Sequence, residues 1–380
     1  MTTTDYKVLS ELPPISKESV DKCSYSSWYT TFEKYTPKSH IIKPLPEKFI
    51  EYIKQDGIYL PTNGKDSEKE RSVNGKTDSD SDICWENSCM ELASDDGSDK
   101  EEHPVTQRID PLVDFPEFHL LLENKFLEIN GPISPKLNWS SPKDAAWILP
   151  YNNTMLCREV NDLYLLLNAS NYTMHDILTP YEDVPDREDE EGNCYELVLR
   201  EWEDINPALE FRVFIACESR QILGISQRDM KTNYQFLENL KTGIQEKIEE
   251  FVETVFLKKD LFQNEKGVVI DVYVPRPFNK IWLIDVNAFS RSTDPLLFSW
   301  NELITKLGNG KSPKASVSDF DVEFRLVSKT AVGHRDHTEN QMPIDIVQAS
   351  IDPESLRELT YQWNEALKLQ EKEDKETRDS

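Results

Sequence analysis

Between Val268 and Phe289 two strongly apolar runs, VVIDVYV and IWLIDVNAF, each carry acid or amide groups where a fully buried strand would be apolar throughout. No other feature restricts the fold of this chain as much. The runs are rich in β-branched and aromatic residues, and PRPFNK between them favours a turn, so they predict the two strands of a hairpin. On a strand Asp285 and Asn287 share a face about 7 Å apart, and the hairpin brings Asp271 beside Asp285. A carboxylate among Val, Ile and Tyr loses much of its hydration energy unless a cation or hydrogen bonds replace the water. Two carboxylates and an amide oxygen form a hard, all-oxygen site that suits Mg²⁺. Because Mg²⁺ is rarely caged by protein alone, a phosphate is expected among its ligands. The alternative is a solvated strand face with Asn287 opening a turn.

Charge and cysteine usage narrow the function classes. Asp and Glu number 70 against 43 Lys and Arg, a net charge of −27 in 380 residues. Such a chain repels nucleic acid and anionic membrane and favours basic protein surfaces, so neither nucleic acid nor membrane is expected as a partner. No apolar run approaches the roughly 18 residues of a membrane span. The start, MTTTDYKVLSELPP, has neither a basic nor an apolar leader region, so a cytosolic or nuclear place is expected, the cytoplasm first. Cys23, Cys84, Cys89, Cys157, Cys194 and Cys217 lack C-x-x-C or zinc-like spacing and read as reduced, mostly buried thiols.

The acid is unevenly spread. Residues 64–103 hold 13 Asp or Glu against 5 Lys or Arg with little apolar periodicity, which predicts a disordered acidic insertion in which Ser79, Ser81, Ser94 and Ser98 suit an acidophilic kinase. It interrupts a globular region whose first part is 1–63. Helices are expected at PEKFIEYIKQ and at DFPEFHLLLENKFLEI, where Phe118, Leu121, Leu122 and Phe126 repeat at helical spacing. An acidic loop follows at 181–193. The runs CYELVLREW, LEFRVFIAC and QILGISQRD then predict strands of one sheet, followed by a long amphipathic helix over 237–257. After the hairpin come a helix around DPLLFSWNELITKL, a strand DVEFRLV and a capped helix at DPESLRELTYQWNEALKL. The fold class is α+β, or mixed α/β. The segments divide as an N-terminal lobe at 104–200, a C-terminal lobe at 201–330 and a terminal helix with charged tail at 331–380.

Phosphates at the hairpin would need cations from elsewhere. In GPISPKLNWSSPKDAAWI a rigid, non-helical path presents Lys136 and Lys143, each a point charge suited to phosphate or else an ordinary surface residue. Arg158, Arg212 and Arg228 stand out, Arg212 most, because it lies between apolar residues on an expected strand and needs a carboxylate or phosphate. Glu210, two residues before it on the same face, is the candidate internal partner.

The motifs SPKLNWSSPKDAAWI, YELVLREW, EFRVFI, GISQRD, VVIDVYV, WLIDVNAF and TDPLLFSWNEL, in this order, resemble the cell division cycle protein 123 family over roughly residues 23–308. The resemblance implies a two-lobed architecture similar to ATP-grasp enzymes, with ATP and Mg²⁺ between the lobes. It implies a role in assembling eukaryotic translation initiation factor 2 by engaging its gamma subunit, and a chain that is monomeric alone. Carried over by motif, Asp271, Asp285 and Asn287 are the Mg²⁺ ligands and Lys136 contacts phosphate. Backbone groups around Leu197, Val198 and Leu199, as free strand-edge amides at the interlobe hinge, would read adenine, with Arg200 beside them. Arg212 and Arg228 would reach phosphate or brace the acids, and Trp139, Ser141 and Arg158 lie near the nucleotide. Asp285→Ala is expected to abolish Mg-dependent binding without loss of stability. A true ligase forming an acyl phosphate and a protein-only scaffold are the competing readings.

Overall fold

Eight strands divide between two sheets in the computed structural model, which describes residues 13–55, 57, 60, 61, 109–150, 153–185, 194–308 and 322–328. The insertion at 64–103 with its serines, most of the loop at 181–193 and the expected terminal helix lie outside the described residues. Strands β1 (Ser39–Ile42), β2 (Ile133–Lys136) and β3 (Leu197–Glu201) form a small antiparallel sheet in the order β1-β3-β2. Strands β4 (Glu210–Ala216), β5 (Gln221–Gln227), β6 (Gly267–Tyr273), β7 (Trp282–Ala288) and β8 (Phe324–Arg325) form a larger one in the order β7-β6-β4-β5-β8. The class is mixed α/β, as expected.

One expectation fails. Strand β3 does not join β4 and β5; it is the centre of the small sheet. Its two faces explain the difference. Leu197 and Leu199 pack into the small-lobe core, whereas Val198 packs into the core of the large lobe, so β3 is buried on both sides. Pro135 is tolerated inside β2 because Ser134 and Lys136 are the residues whose backbone faces β3. Pro135, like Ile133, turns its backbone to the outer edge, where a missing N–H breaks no ladder bond.

Helices α1 (Lys17–Lys22) and α2 (Tyr25–Phe32) straddle the lobes. Tyr25, Trp28 and Phe32 enter the large-lobe core, while the Tyr25 amide donates to the Asn138 carbonyl of the small lobe at 2.8 Å. The small sheet is backed by α3 (Glu47–Lys54), α4 (Pro111–Asp114), α5 (Pro116–Ile129), α6 (Val160–Ala169) and α7 (Asn171–Leu178). Phe49, Tyr52, Phe118, Leu122, Leu163 and Tyr164 fill that core, which draws on sequence from both sides of the insertion. Helix α5 opens with Pro116 in its first turn and ends at Asn130 in the left-handed conformation. Of the expected stripe, Phe118 and Leu122 are buried, Phe126 is half-buried and Leu121 is exposed.

The large sheet packs one face on α8 (Phe236–Phe251), through Ile244, Ile248 and Phe251 against Phe211, Val213 and Ile270. The helix expected over 237–257 is α-helical only to Phe251; one π turn (Val252–Phe256) and one 3₁₀ turn (Leu257–Lys259) complete it. On the opposite face Phe214, Val269 and Phe289 meet Trp300 and Leu303 of α9 (Trp300–Gly308), whose expected first turn, from Asp294, is not helical. Strand β8 is limited to two residues of DVEFRLV. The segment expected to be non-helical after Gly131 forms β2 and then a 3₁₀ turn at Lys143–Ile148. The face of the large sheet that carries α9 continues, beyond it, into a polar half, and this half meets the small lobe.

Candidate functional site

The hairpin of β6 and β7 sets Asp271 directly opposite Asp285 and Asn287 opposite Val269, so all three expected ligands share one face. The register slips between Asp271 and Val272: Val272 pairs with Leu283 and Asp271 with Asp285, leaving Ile284 unopposed. This bulge frees the Ile284 carbonyl, and Arg200, buried on β3, donates to it at 3.2 Å. Arg200 thus ties the small sheet to the strand that carries Asp285.

Asp271 is buried and gripped by Arg212, with Nε to Oδ1 at 2.7 Å and Nη2 to Oδ2 at 2.8 Å; Arg228 approaches Oδ2 at 3.4 Å. Burial alone would push this carboxyl up, but the two guanidinium groups outweigh it and hold it well below the usual carboxylate range. The Arg228 guanidinium is pushed above its ordinary value: burial opposes its charge, and Asp271, Glu210 and Asp294 outweigh burial. The anticipated partnership of Arg212 with Glu210 does not form. Asp271 is the residue directly opposite Arg212 in the ladder, and the remaining Arg212 nitrogen donates to the Asp294 carbonyl at 2.7 Å. Glu210 instead receives Lys143 of the small lobe at 3.4 Å. Lys143 also feels Arg228, Asp271 and Asp285; the pull of Glu210 would raise its pKa, but removal from water and Arg228 leave it below the ordinary value.

Lys136 crosses the same cleft. Its ammonium is fully buried, donates to the Trp139 carbonyl and reaches Asp285 Oδ2 at 3.0 Å. The other Asp285 oxygen accepts the Val286 amide at 3.0 Å. Lys136 is therefore not a surface residue, and because Asp285→Ala would strand its charge, the pairing argues for a loss of stability where the sequence reading expected none. Asn287 keeps one amide nitrogen buried with no partner among the described residues. The two ends of an amide are assigned by their hydrogen bonds, so this end of Asn287 is open to a polar group.

A residue that sequence reading missed holds the loop after Lys136. Asp176, buried on α7, accepts the Trp139 amide at 3.0 Å and the Ser140 amide at 2.7 Å. Burial raises its pKa, and these bonds with the nearby Lys136 charge counter part of that rise. Nothing local in NYTMHDIL marks this aspartate, because its partners are backbone amides more than 30 residues away.

Of the other anticipated residues, Trp139 is a structural pivot: its indole donates to the Val20 carbonyl at 2.9 Å and meets Tyr181 edge-on. Ser141 is buried and its carbonyl accepts the Lys143 amide at 2.7 Å. Arg158 is exposed in the turn before α6, where its amide donates to Asp162. The edge-amide reading of Leu197, Val198 and Leu199 is corrected. Because β3 is central, Val198, Leu199 and Arg200 have partners on both β1 and β2, and their amides and carbonyls are committed to the two ladders. On the side of the connection to β4, unladdered backbone begins beyond Trp202, whose amide still donates to the Pro132 carbonyl at 3.0 Å.

The family model described as D123 matches residues 28–350. A protein of Vanderwaltozyma polyspora named translation initiation factor eIF2 assembly protein is 46% identical over 382 residues, covering 99% of this chain and 99% of its own. The chain belongs to the D123 family. Within that family, cell division cycle protein 123 of Candida glabrata is 44% identical over 373 residues, covering 97% of this chain and 98% of its own. A solved structure of Cdc123 from Schizosaccharomyces pombe shares the D123 fold with a TM-score of 0.61 at 28% identity, covering 84% of this chain and all of that one. Among the described residues no helix is long and apolar enough to cross a membrane.

Proposed function

We propose that this chain is an ATP- and Mg²⁺-binding assembly factor that engages the gamma subunit of eukaryotic translation initiation factor 2 and promotes formation of the trimer, in support of initiation and cell-cycle progression. The observation that carries the nucleotide half is the meeting of Lys136 and Asp285 at 3.0 Å across the cleft. A cation suited to phosphate and a carboxylate suited to metal, from opposite lobes, are poised on one point. The likeness to ATP-grasp enzymes implied by the motifs supports the same reading; the names of the relatives support translation initiation factor 2 as the partner, and the gamma subunit is what the motif resemblance implies.

The residues fit the ion once both carboxylates adjust, because Asp285 is held by Lys136 and the Val286 amide and Asp271 by Arg212. Asp285 and Asn287 present oxygen ligands on one face, and the unpartnered amide end of Asn287 leaves that residue free to turn. Asp271 is engaged by Arg212 through both oxygens, so it would share an oxygen with the ion rather than offer a free one. Bound Mg²⁺ would supply charge neutralisation for the phosphates. Lys136 and Lys143 hold the phosphate side from the small lobe, while Arg212 and Arg228 fix Asp271 and close the floor. Apart from Asp294 near Arg228, the directly paired groups are four cations against Glu210, Asp271 and Asp285. The cleft is thus far less negative than a chain of net charge −27 and can admit an anion.

Calorimetry with ATP in excess Mg²⁺ tests the site, and affinity capture of the gamma subunit with and without Mg-ATP tests the partner. Stoichiometric ATP binding that strengthens capture is expected. Absence of ATP binding refutes the nucleotide site, absence of capture refutes the partner, and steady turnover with an acceptor would favour the ligase reading.

A further inference from the structure

The small sheet turns a definite set of side chains toward the large lobe. Directly opposed residues of an antiparallel pair share a face, so Ser134 stands with Arg200 and Ser39, and Lys136 with Val198 and Ile41. Three contacts fix which way this face looks. Lys136 reaches Asp285, Arg200 reaches the Ile284 carbonyl, and Val198 enters the large-lobe core. Ser39 is satisfied by Tyr25 at 2.7 Å. Ser134 is not: its hydroxyl is buried on the cleft side, between two buried cations, with no hydrogen-bond partner among the described residues.

A buried hydroxyl without a partner destabilises the fold, so a group that completes it is called for. Two unpartnered polar ends then mark the cleft, Asn287 on the large sheet and Ser134 on the small one. They lie on either side of the Lys136–Asp285 contact. Along β2, Ser134 is about 7 Å from Lys136. The direction is toward Ile133, which pairs with Glu201 at the start of the connection to the second lobe. A ligand whose phosphates rest at Lys136 therefore passes Ser134 with its other end.

We propose that Ser134 is a specificity residue of the nucleotide site that hydrogen-bonds the nucleoside half of the ligand, the base or the ribose, and not its phosphates. This rests on the nucleotide reading above. Because the hydroxyl is unsatisfied without ligand, its removal separates binding from folding: Ser134→Ala leaves the melting temperature of the ligand-free protein unchanged or raises it. The same substitution lowers affinity for ATP about five- to tenfold, the value of one hydrogen bond. AMP loses the same factor, since the contact lies in the part the two share.

The experiment is calorimetry of the full chain and of Ser134→Ala with ATP and with AMP in excess Mg²⁺, alongside thermal melts without nucleotide. Equal losses for both nucleotides with no loss of melting temperature support the assignment. Unchanged affinity overturns it, as does a lower melting temperature with unchanged affinity, which would make Ser134 a purely structural, water-bridged group. A loss for ATP alone would move the hydroxyl to the phosphates and overturn the nucleoside assignment. Failure of the unaltered chain to bind ATP refutes the site itself, which the wild-type titration reveals separately.

Discussion

Removing Asp285 tests the cleft more directly than any other single change. In Asp285→Ala the Lys136 ammonium, fully buried, keeps only the Trp139 carbonyl as acceptor. Breaking a buried ion pair from one side costs about 3–5 kcal/mol when both partners are dry. The Asp285 side chain retains 20% of its exposure, so solvent already screens the pair and the expected loss is nearer about 2–3 kcal/mol. With an unfolding entropy of about 2.1 cal/mol/K per residue, a chain of 380 residues then melts lower by about 2.5–4 °C. Lys136→Met removes the charge while keeping most of the volume, and it leaves Asp285 with the Val286 amide and some water, for a loss of about 1–2 kcal/mol. The double variant then falls by less than the sum of the two, with a coupling of about 1–2 kcal/mol, because no stranded charge remains. Melts of the four proteins without nucleotide measure this directly. A melting temperature for Asp285→Ala equal to or above that of the unaltered chain would refute the reasoning, as would strict additivity in the double variant.

Three further outcomes follow from particular contacts. A methyl group at Gly224 would lie 2.8 and 2.9 Å from two atoms of the Phe298 ring, so Gly224→Ala should cost about 1–3 kcal/mol in a chemical melt, and no change would mean the ring moves aside freely. Arg212 and Arg228 hold the Asp271 carboxyl below its usual value of about 3.9, so the stability it contributes is present above about pH 4 and is lost as pH falls toward the lowered value. The gap in melting temperature between the unaltered chain and Asp271→Asn should therefore narrow below about pH 4, and a gap constant to pH 2.5 would exclude the pairing. Asp176→Ala removes the single oxygen that accepts both amides, so the Lys136 loop loosens; ATP affinity should fall about tenfold while AMP affinity falls less, and equal losses would confine Asp176 to the fold.

What the sequence showed and what it hid divide by distance along the chain. The facing of Asp271 and Asp285 was legible because alternation has a period of two and PRPFNK turns the chain back within one hairpin. That Arg212 needed an anion was equally plain from its neighbours, but the identity of the anion was not. Glu210 is nearest in sequence, yet ladder register, set by the packing of whole strands, places Asp271 across from it. The same cause misassigned β3: its composition matches β4 and β5, and only burial of both its faces shows that it sits between two lobes. The bulge at Ile284 left no local mark. Asp176 in an ordinary amphipathic helix and Ser134 beside a proline carried none either, since their meaning lies in partners from other elements.

The paired state of the cleft has a consequence for how its ligands enter. Asp271 is satisfied by Arg212, Asp285 by Lys136 and Glu210 by Lys143, so a divalent ion or a phosphate arriving here exchanges partners instead of filling open valences. Were Asp285 to turn to an ion alone, the buried Lys136 would face a second cation with no counter-charge. Were Lys136 to turn to a phosphate alone, Asp285 would face an anion. Each move is unfavourable by itself in a site of low dielectric, and the two together conserve charge. Lys136 and Asp285 therefore couple ion and nucleotide, so that on the nucleotide reading each raises the affinity for the other by the same factor, as linkage requires. The Arg200 bond to the Ile284 carbonyl meanwhile keeps the lobes in register, because it uses neither of the exchanging groups.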